Sequence, residues 1–213
     1  MYDIVLFDLD GTLTKSEIGI VNAVTYALSK FDVIADNKEE LKKFIGPPLT
    51  MSFIKYFDFT EEKAKEAVVY CQEYMKDKGI YEAPLYGGIE EMLKKLKQKE
   101  KRLFIATSKP EVFATQIIKY LNIENFFDGI VGANLDGTRT DKAEIIASLI
   151  DNYAIFDKSK VVMVGDREHD IYGAKRTDID SVGVLYGYGD MKELVSAGAT
   201  YIIKTPLELI DIV

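Results

Sequence analysis

Asp8 and Asp10 stand one residue apart directly after the apolar run Ile4-Val5-Leu6-Phe7, and Gly11 and the hydroxyl of Thr12 follow them. An apolar run of this kind reads as a fully buried strand of a parallel sheet, and such sheets open their ligand sites just beyond the carboxyl ends of the strands. Residues two apart in an extended chain point to the same side and lie roughly 6.5–7 Å apart. Two carboxylates so placed repel each other unless they share a proton or hold a cation between them. For an Asp-Gly dipeptide taken alone, a solvated turn is the plainer alternative.

Three further clusters fall where strands end. Leu103–Ala106 leads into Thr107-Ser108-Lys109-Pro110, where a hydroxyl, backbone N–H groups at a helix start and a lysine form a small anion cradle. Thr or Ser before Pro is also ordinary helix-capping chemistry. The run Val161-Val162-Met163-Val164 leads into Gly165-Asp166-Arg167-Glu168-His169-Asp170. Asp166 takes the same strand-end position as Asp8, and Asp170 lies one helical turn further on, facing the same way. A carboxylate leaving a buried strand is costly unless it is hydrated, paired or bound to metal. Lys142, near a helix start after Thr138-Arg139-Thr140-Asp141, reads on its own as a solvated lysine. The stretch Asn134-Leu135-Asp136-Gly137-Thr138 echoes Asp8–Thr12, but Asn replaces the first carboxylate and no comparable buried run precedes it. It reads as a turn leading to the Lys142 helix. His169 is the sole histidine, which excludes multi-histidine metal centres and disfavours a serine–histidine hydrolase. A solvated surface role suits it best.

The elements that must position these residues alternate strand and helix along the chain, with one all-helical interruption. Ser16 is a candidate cap for a helix through Ile20, Val24 and Leu28, and Thr60 for one through Ala64, Ala67 and Cys71, with Gly79 as its stop. Pro47-Pro48 between them forms a stiff corner. After Gly87-Gly88 the spacing predicts helices over 89–98, 111–121, 141–150 and 168–175, and strands over 103–107, 130–131, 160–165 and 181–185. A helix and a strand close the chain over 191–203. The pattern predicts an α/β protein, a doubly wound parallel sheet formed by residues 1–14 and 85–213 with an α-helical cap inserted over 15–84. An insertion leaving and returning at the carboxyl edge of the sheet suits a lid, the alternative being a helical domain without a role at the site.

Composition bounds the function. No apolar run among the 213 residues approaches the ~20 needed to span a bilayer, and the N-terminus lacks a basic-then-apolar leader, so a cytoplasmic protein with no membrane partner is expected. A net charge of −8 argues against a nucleic-acid polymer as partner. An anionic small molecule would need a local positive site. Cys71, the only cysteine, reads as a core residue, and the aromatic residues around Phe53 read as helix packing.

In this order the pieces resemble the haloacid dehalogenase-like hydrolase superfamily over nearly the whole chain. Asp8-Leu9-Asp10-Gly11-Thr12 resembles its first motif, Phe104-Ile105-Ala106-Thr107 its second, Lys142 its third, and Gly165-Asp166 through Asp170 its fourth. Ile45-Gly46-Pro47-Pro48-Leu49 and Thr107-Ser108-Lys109-Pro110 are most similar to the phosphoglycolate phosphatase-like and 5′-nucleotidase-like branch. The resemblance implies hydrolysis of a small phosphate ester, with Asp8 as nucleophile and Asp10 as acid and base. It implies Mg²⁺ on the Asp8 carboxylate, the Asp10 main-chain carbonyl and Asp166, with Asp170 orienting the metal shell. Thr107, the Ser108 N–H and Lys142 would bind phosphoryl oxygens, and Lys109 and Arg167 are candidate substrate contacts. A sugar phosphomutase would share every motif, and a receiver-like switch phosphorylated on Asp8 uses similar residues. Lys15 departs from the acidic residue common at that place in relatives.

Overall fold

The computed structural model describes residues 1–35 and 37–213. The chain forms two compact units, one of Met1–Lys15 with Leu85–Val213 and the other of Ser16–Pro84.

The first unit is built on a six-stranded parallel sheet of β1 (Ile4–Phe7), β2 (Arg102–Pro110), β3 (Gly129–Ala133), β4 (Val161–Gly165), β5 (Asp180–Val184) and β6 (Tyr201–Ile203). The strand order is β3-β2-β1-β4-β5-β6. Every residue of β1 and β4 is buried, as strands covered on both faces require. Their unbroken apolar runs are what marked them in the sequence. Leu6, Phe104, Met163, Ile145 and Leu149 share one core cluster that joins the sheet to a neighbouring helix. Register then fixes the site. Phe7 lies level with Ile105 of β2 and with Val164 of β4, so Asp8 comes level with Ala106 and Gly165, directly before Thr107 and Asp166. Strand order reverses at β1, which places Asp8 at the topological switch point.

The strand expected to end at Thr107 continues to Pro110, with a register shift against β3 between those two residues. There the Lys109 N–H donates to Thr107 Oγ1 at 3.3 Å.

The second unit contains α1 (Glu17–Ser29), α2 (Leu49–Phe57) and α3 (Glu61–Asp77). The Thr60 hydroxyl accepts the Lys63 N–H at 3.3 Å and starts α3 as expected. Ser16 does not cap α1. Its backbone, at φ −83° and ψ 3°, lies outside the extended region a capping residue needs, and its buried Oγ has no hydrogen-bond partner. A shorter helical turn over Lys38–Phe44 is capped instead by Asn37, whose side chain accepts the Glu39 N–H at 3.0 Å. Phe53 packs against Phe44 and Phe59 at ring distances of 5.0 and 5.7 Å and is fully buried. Burial pushes the Cys71 thiol up to about 12, and its Sγ meets Ala23 O.

The first unit also contains the α-helices α4 (Ile89–Gln98), α5 (Glu111–Tyr120), α6 (Lys142–Asn152), α7 (Glu168–Arg176) and α8 (Met191–Ala197). The two connections that lead out of this unit pair with each other. Thr14 bridges Leu85, and the Tyr86 N–H donates to Leu13 O at 3.1 Å. Among the described residues, no helix is long and apolar enough to cross a membrane.

Candidate active site

Asp8 continues β1, with its N–H donating to Val164 O at 2.9 Å. The chain then folds back tightly. The Gly11 N–H donates to Thr14 O at 2.9 Å, and the Leu13 and Thr14 N–H groups both reach Leu9 O. Gly11 sits at φ +88°, and a Cβ there would come within 2.3 Å of Asp166 Oδ2, so only glycine fits.

The Lys142 ammonium is the centre of charge. It lies 2.8 Å from Asp8 Oδ1, 2.8 Å from Asp170 Oδ1 and 3.0 Å from Ala106 O. Its position is set locally, because the Asp141 carboxylate accepts the Ala143 and Glu144 N–H groups and fixes the start of α6. Gly173 of α7 leaves room for its stem, since a Cβ there would lie 2.6 Å from Lys142 Cγ. Burial opposes the charge on Lys142, but Asp170 and Asp8 outweigh it and hold the ammonium above the usual lysine range.

Asp166, fully buried, accepts the Tyr188 N–H on Oδ2 at 2.8 Å, while its Oδ1 is buried without a hydrogen-bond partner. Asp170 Oδ2 accepts the Arg167 N–H at 3.1 Å. One carboxylate oxygen each from Asp8, Asp166 and Asp170 falls within 4.8 Å of the others. Asp8 and Asp170 share the buried Lys142, and Asp166 stands beside them as a third buried carboxylate. Burial pushes Asp8 up to about 6 despite Lys142, and burial together with Asp170 and Asp8 drives Asp166 well above the usual carboxylate range. The unpartnered oxygen, the excess negative charge and the all-oxygen donor set fit a hard divalent cation.

Asp10 is placed differently. Both of its oxygens meet the Lys109 ammonium, at 3.0 and 2.8 Å, and the pair is largely buried. Thr107 is buried at the end of β2, and the Ser108 hydroxyl donates to Thr140 O at 3.0 Å, tying β2 to the turn before α6. Arg167, considered as a substrate contact, has its Nε on Glu193 Oε1 at 2.8 Å. His169 is exposed.

The Lys109–Asp10 pair and the stretch Tyr186-Gly187-Tyr188-Gly189 were not foreseen as a unit. Cβ atoms at Gly187 and Gly189 would lie 2.4 Å from Asp166 Cβ and 2.0 Å from Asp166 O. Alternating glycines directly after a buried strand were the signal in the sequence. The Tyr86 and Tyr186 rings meet edge to face at 5.2 Å, with Lys15 Nζ 5.3 Å from the Tyr86 centroid. The site thus offers a fixed carboxylate beside a cation, a second carboxylate held by its own lysine, a buried hydroxyl, and an acidic cluster able to take a metal ion.

Comparison with known proteins gives concordant results. A family model described as haloacid dehalogenase-like hydrolase matches residues 5–184. A 5′-nucleotidase of Pseudomonas aeruginosa is 40% identical over 193 residues, covering 91% of this chain and 87% of that protein. A phosphoglycolate phosphatase of Colwellia psychrerythraea is 30% identical, over 98% of this chain and 95% of the relative. The crystal structure of a predicted phosphatase from Clostridium acetobutylicum superposes with a TM-score of 0.95 at 43% identity, covering 99% of this chain and 97% of that one.

Proposed function

The chain belongs to the haloacid dehalogenase-like hydrolases, an enzyme among phosphatase relatives, and from that premise we propose that it hydrolyses a small phosphomonoester with Mg²⁺ through a phosphorylated Asp8. The observation that carries the proposal is the buried trio Asp8, Asp166 and Asp170, two of them paired with Lys142, with Asp166 Oδ1 left unpartnered at the switch point of the sheet.

In this reading an Asp8 oxygen attacks phosphorus, and the bond to the leaving oxygen breaks as Asp10 delivers its proton. Asp10 then takes a proton from the water that cleaves the aspartyl-phosphate, which releases phosphate and restores Asp8. Lys142 holds Asp8 in place and receives phosphoryl charge together with Thr107 and the Ser108 N–H. Lys109 fixes the direction of the Asp10 carboxylate. The Asp8 and Asp166 carboxylates and the Asp10 carbonyl would hold the metal, with Asp170 beside them. When bound, Mg²⁺ offsets the repulsion between Asp8 and the phosphoryl oxygens. The helical unit Ser16–Pro84 takes the part of a cap that excludes water, supported by the paired connections that lead into it. Phosphoglycolate-like esters and nucleoside 5′-monophosphates are the leading substrate classes, after the names of the two curated relatives.

The test is phosphate release from phosphoglycolate, nucleoside 5′-monophosphates, sugar phosphates and an aryl phosphate, with Mg²⁺ or EDTA. Release that needs metal and disappears in Asp8→Asn is expected. Transfer between sugar positions without release would indicate a mutase. A long-lived phosphorylated Asp8 with no turnover would indicate a switch.

A further inference from the structure

We propose that Glu193 is a positioning residue for the Asp166 carboxylate and thereby sets the affinity of the site for a divalent cation. The inference rests on the metal reading above. Glu193 lies in the first turn of α8, and one of its oxygens accepts two hydrogen bonds, from Arg167 Nε at 2.8 Å and from the Glu168 N–H at 2.9 Å. Both donors belong to the residues directly after Asp166. The Arg167 and Glu193 side chains are 22% and 21% exposed, so water screens the pair only in part. The Glu193 carboxylate also satisfies one of the N–H groups that the start of α7 cannot satisfy within the helix.

The segment that carries Glu193 grips Asp166 from its other side as well. The Tyr188 N–H holds Asp166 Oδ2, and Gly189 lies so close to the Asp166 carbonyl that no Cβ would fit. Asp190 accepts the Glu193 N–H at 2.8 Å and fixes where α8 begins. One short stretch of chain therefore holds Asp166 at its carboxylate and through the two residues that follow, and packs closely against its carbonyl. Oδ2 is committed to Tyr188 and Oδ1 stays unpartnered, and in this reading Glu193 is the far anchor that keeps the loop from turning Oδ1 away. Residues that orient a metal ligand typically change affinity by 10–100-fold when removed.

The experiment is calorimetric titration of the metal-free full chain with Mn²⁺ and Mg²⁺, in the absence of substrate. Glu193→Ala is expected to weaken binding by about 10–100-fold with the folded spectrum retained, and Glu193→Gln, which keeps an acceptor oxygen, to recover most of the loss. Arg167→Met combined with Glu193→Ala should bind no more weakly than the worse single variant, because both act through one contact. If Glu193→Ala does not fold, Arg167→Met carries the comparison, with weakened binding that adding Glu193→Gln does not deepen. Wild-type affinity in a folded Glu193→Ala, losses that add in the double variant, or no binding of either cation to the wild type would each overturn the proposal. Because no turnover is measured, failure of the phosphatase reading in the ester panel is a separate result.

Discussion

Two turns of this protein are nearly the same string, Asp8-Leu9-Asp10-Gly11-Thr12 and Asn134-Leu135-Asp136-Gly137-Thr138, and the structure makes entirely different objects of them. Both glycines adopt positive φ, +88° and +82°. Around Gly11 the space is filled by Asp166, whereas nothing lies within 4 Å of a Cβ at Gly137. Thr12 is fully buried, while the second turn is exposed from Asn134 to Thr138. The first turn follows the strand at which sheet order reverses, and the second follows β3 at the sheet's edge. Chemistry here comes from the position of a strand in the sheet, and the residue string supplies only the groups.

The sharpest way to break the comparison is to give the first turn the leading residue of the second. Asp8→Asn should lower kcat/KM by on the order of 10⁴-fold or more, read as phosphate release on the best ester, while the fold is kept. The glycines come next. Gly11→Ala should cost about 2–5 kcal/mol in denaturant unfolding, through strain and collision with Asp166, and abolish metal binding. Gly137→Ala should cost only about 1–2 kcal/mol, with metal affinity unchanged.

Acid titration separates the turns by sign. The fold favours protonated Asp8, raised to about 6, so the stability it contributes is complete below the ordinary carboxylate pKa and is lost as pH rises through about 6. Asp136 is held low by the Thr138 hydroxyl and N–H, so its contribution is present above the ordinary pKa and is lost as pH falls. Metal-free protein should therefore lose denaturant resistance between about pH 4 and 6, and Asp8→Asn should remove that part of the slope. The smallest effect is expected from Asn134→Asp, which completes the echo. It forfeits the Asn134–Thr138 side-chain hydrogen bond, worth about 1 kcal/mol, and should leave turnover and metal affinity as they were.

Burial made most of the fold legible in the sequence. The runs before Asp8 and Asp166 announce strands covered on both faces, and Thr60 and Asp141 announce helix starts because a single side chain supplies the bond. Ser16 misled because capping depends on the backbone angle as well as the residue type, and that angle is set by tertiary context. The strand-end positions of Asp8 and Asp166, with Asp170 a helical turn on, were legible in the residues, whereas Lys142, which on its own reads as solvated, was legible only through the resemblance of the motif order. The Lys109–Asp10 pair was not, because it depends on a register shift at the end of β2 that no periodicity encodes. Glu193 was equally silent. Its partner lies 26 positions away, across a helix, a strand and a turn, and an exposed helix glutamate looks the same in a string.

The pairing of Leu13 and Thr14 with Leu85 and Tyr86 has a consequence for how this architecture can change over evolutionary time. The chain leaves and re-enters the sheet-bearing unit through adjoining segments joined by an isolated antiparallel bridge. The ends of the excursion are thus already together before any residue of Ser16–Pro84 is chosen, and a longer or shorter excursion alters closure entropy only logarithmically. The sheet behaves as a socket. A different helical cassette, or a hairpin of a few residues, can be spliced between Lys15 and Leu85 while Asp8, Lys142 and Asp166 keep their places.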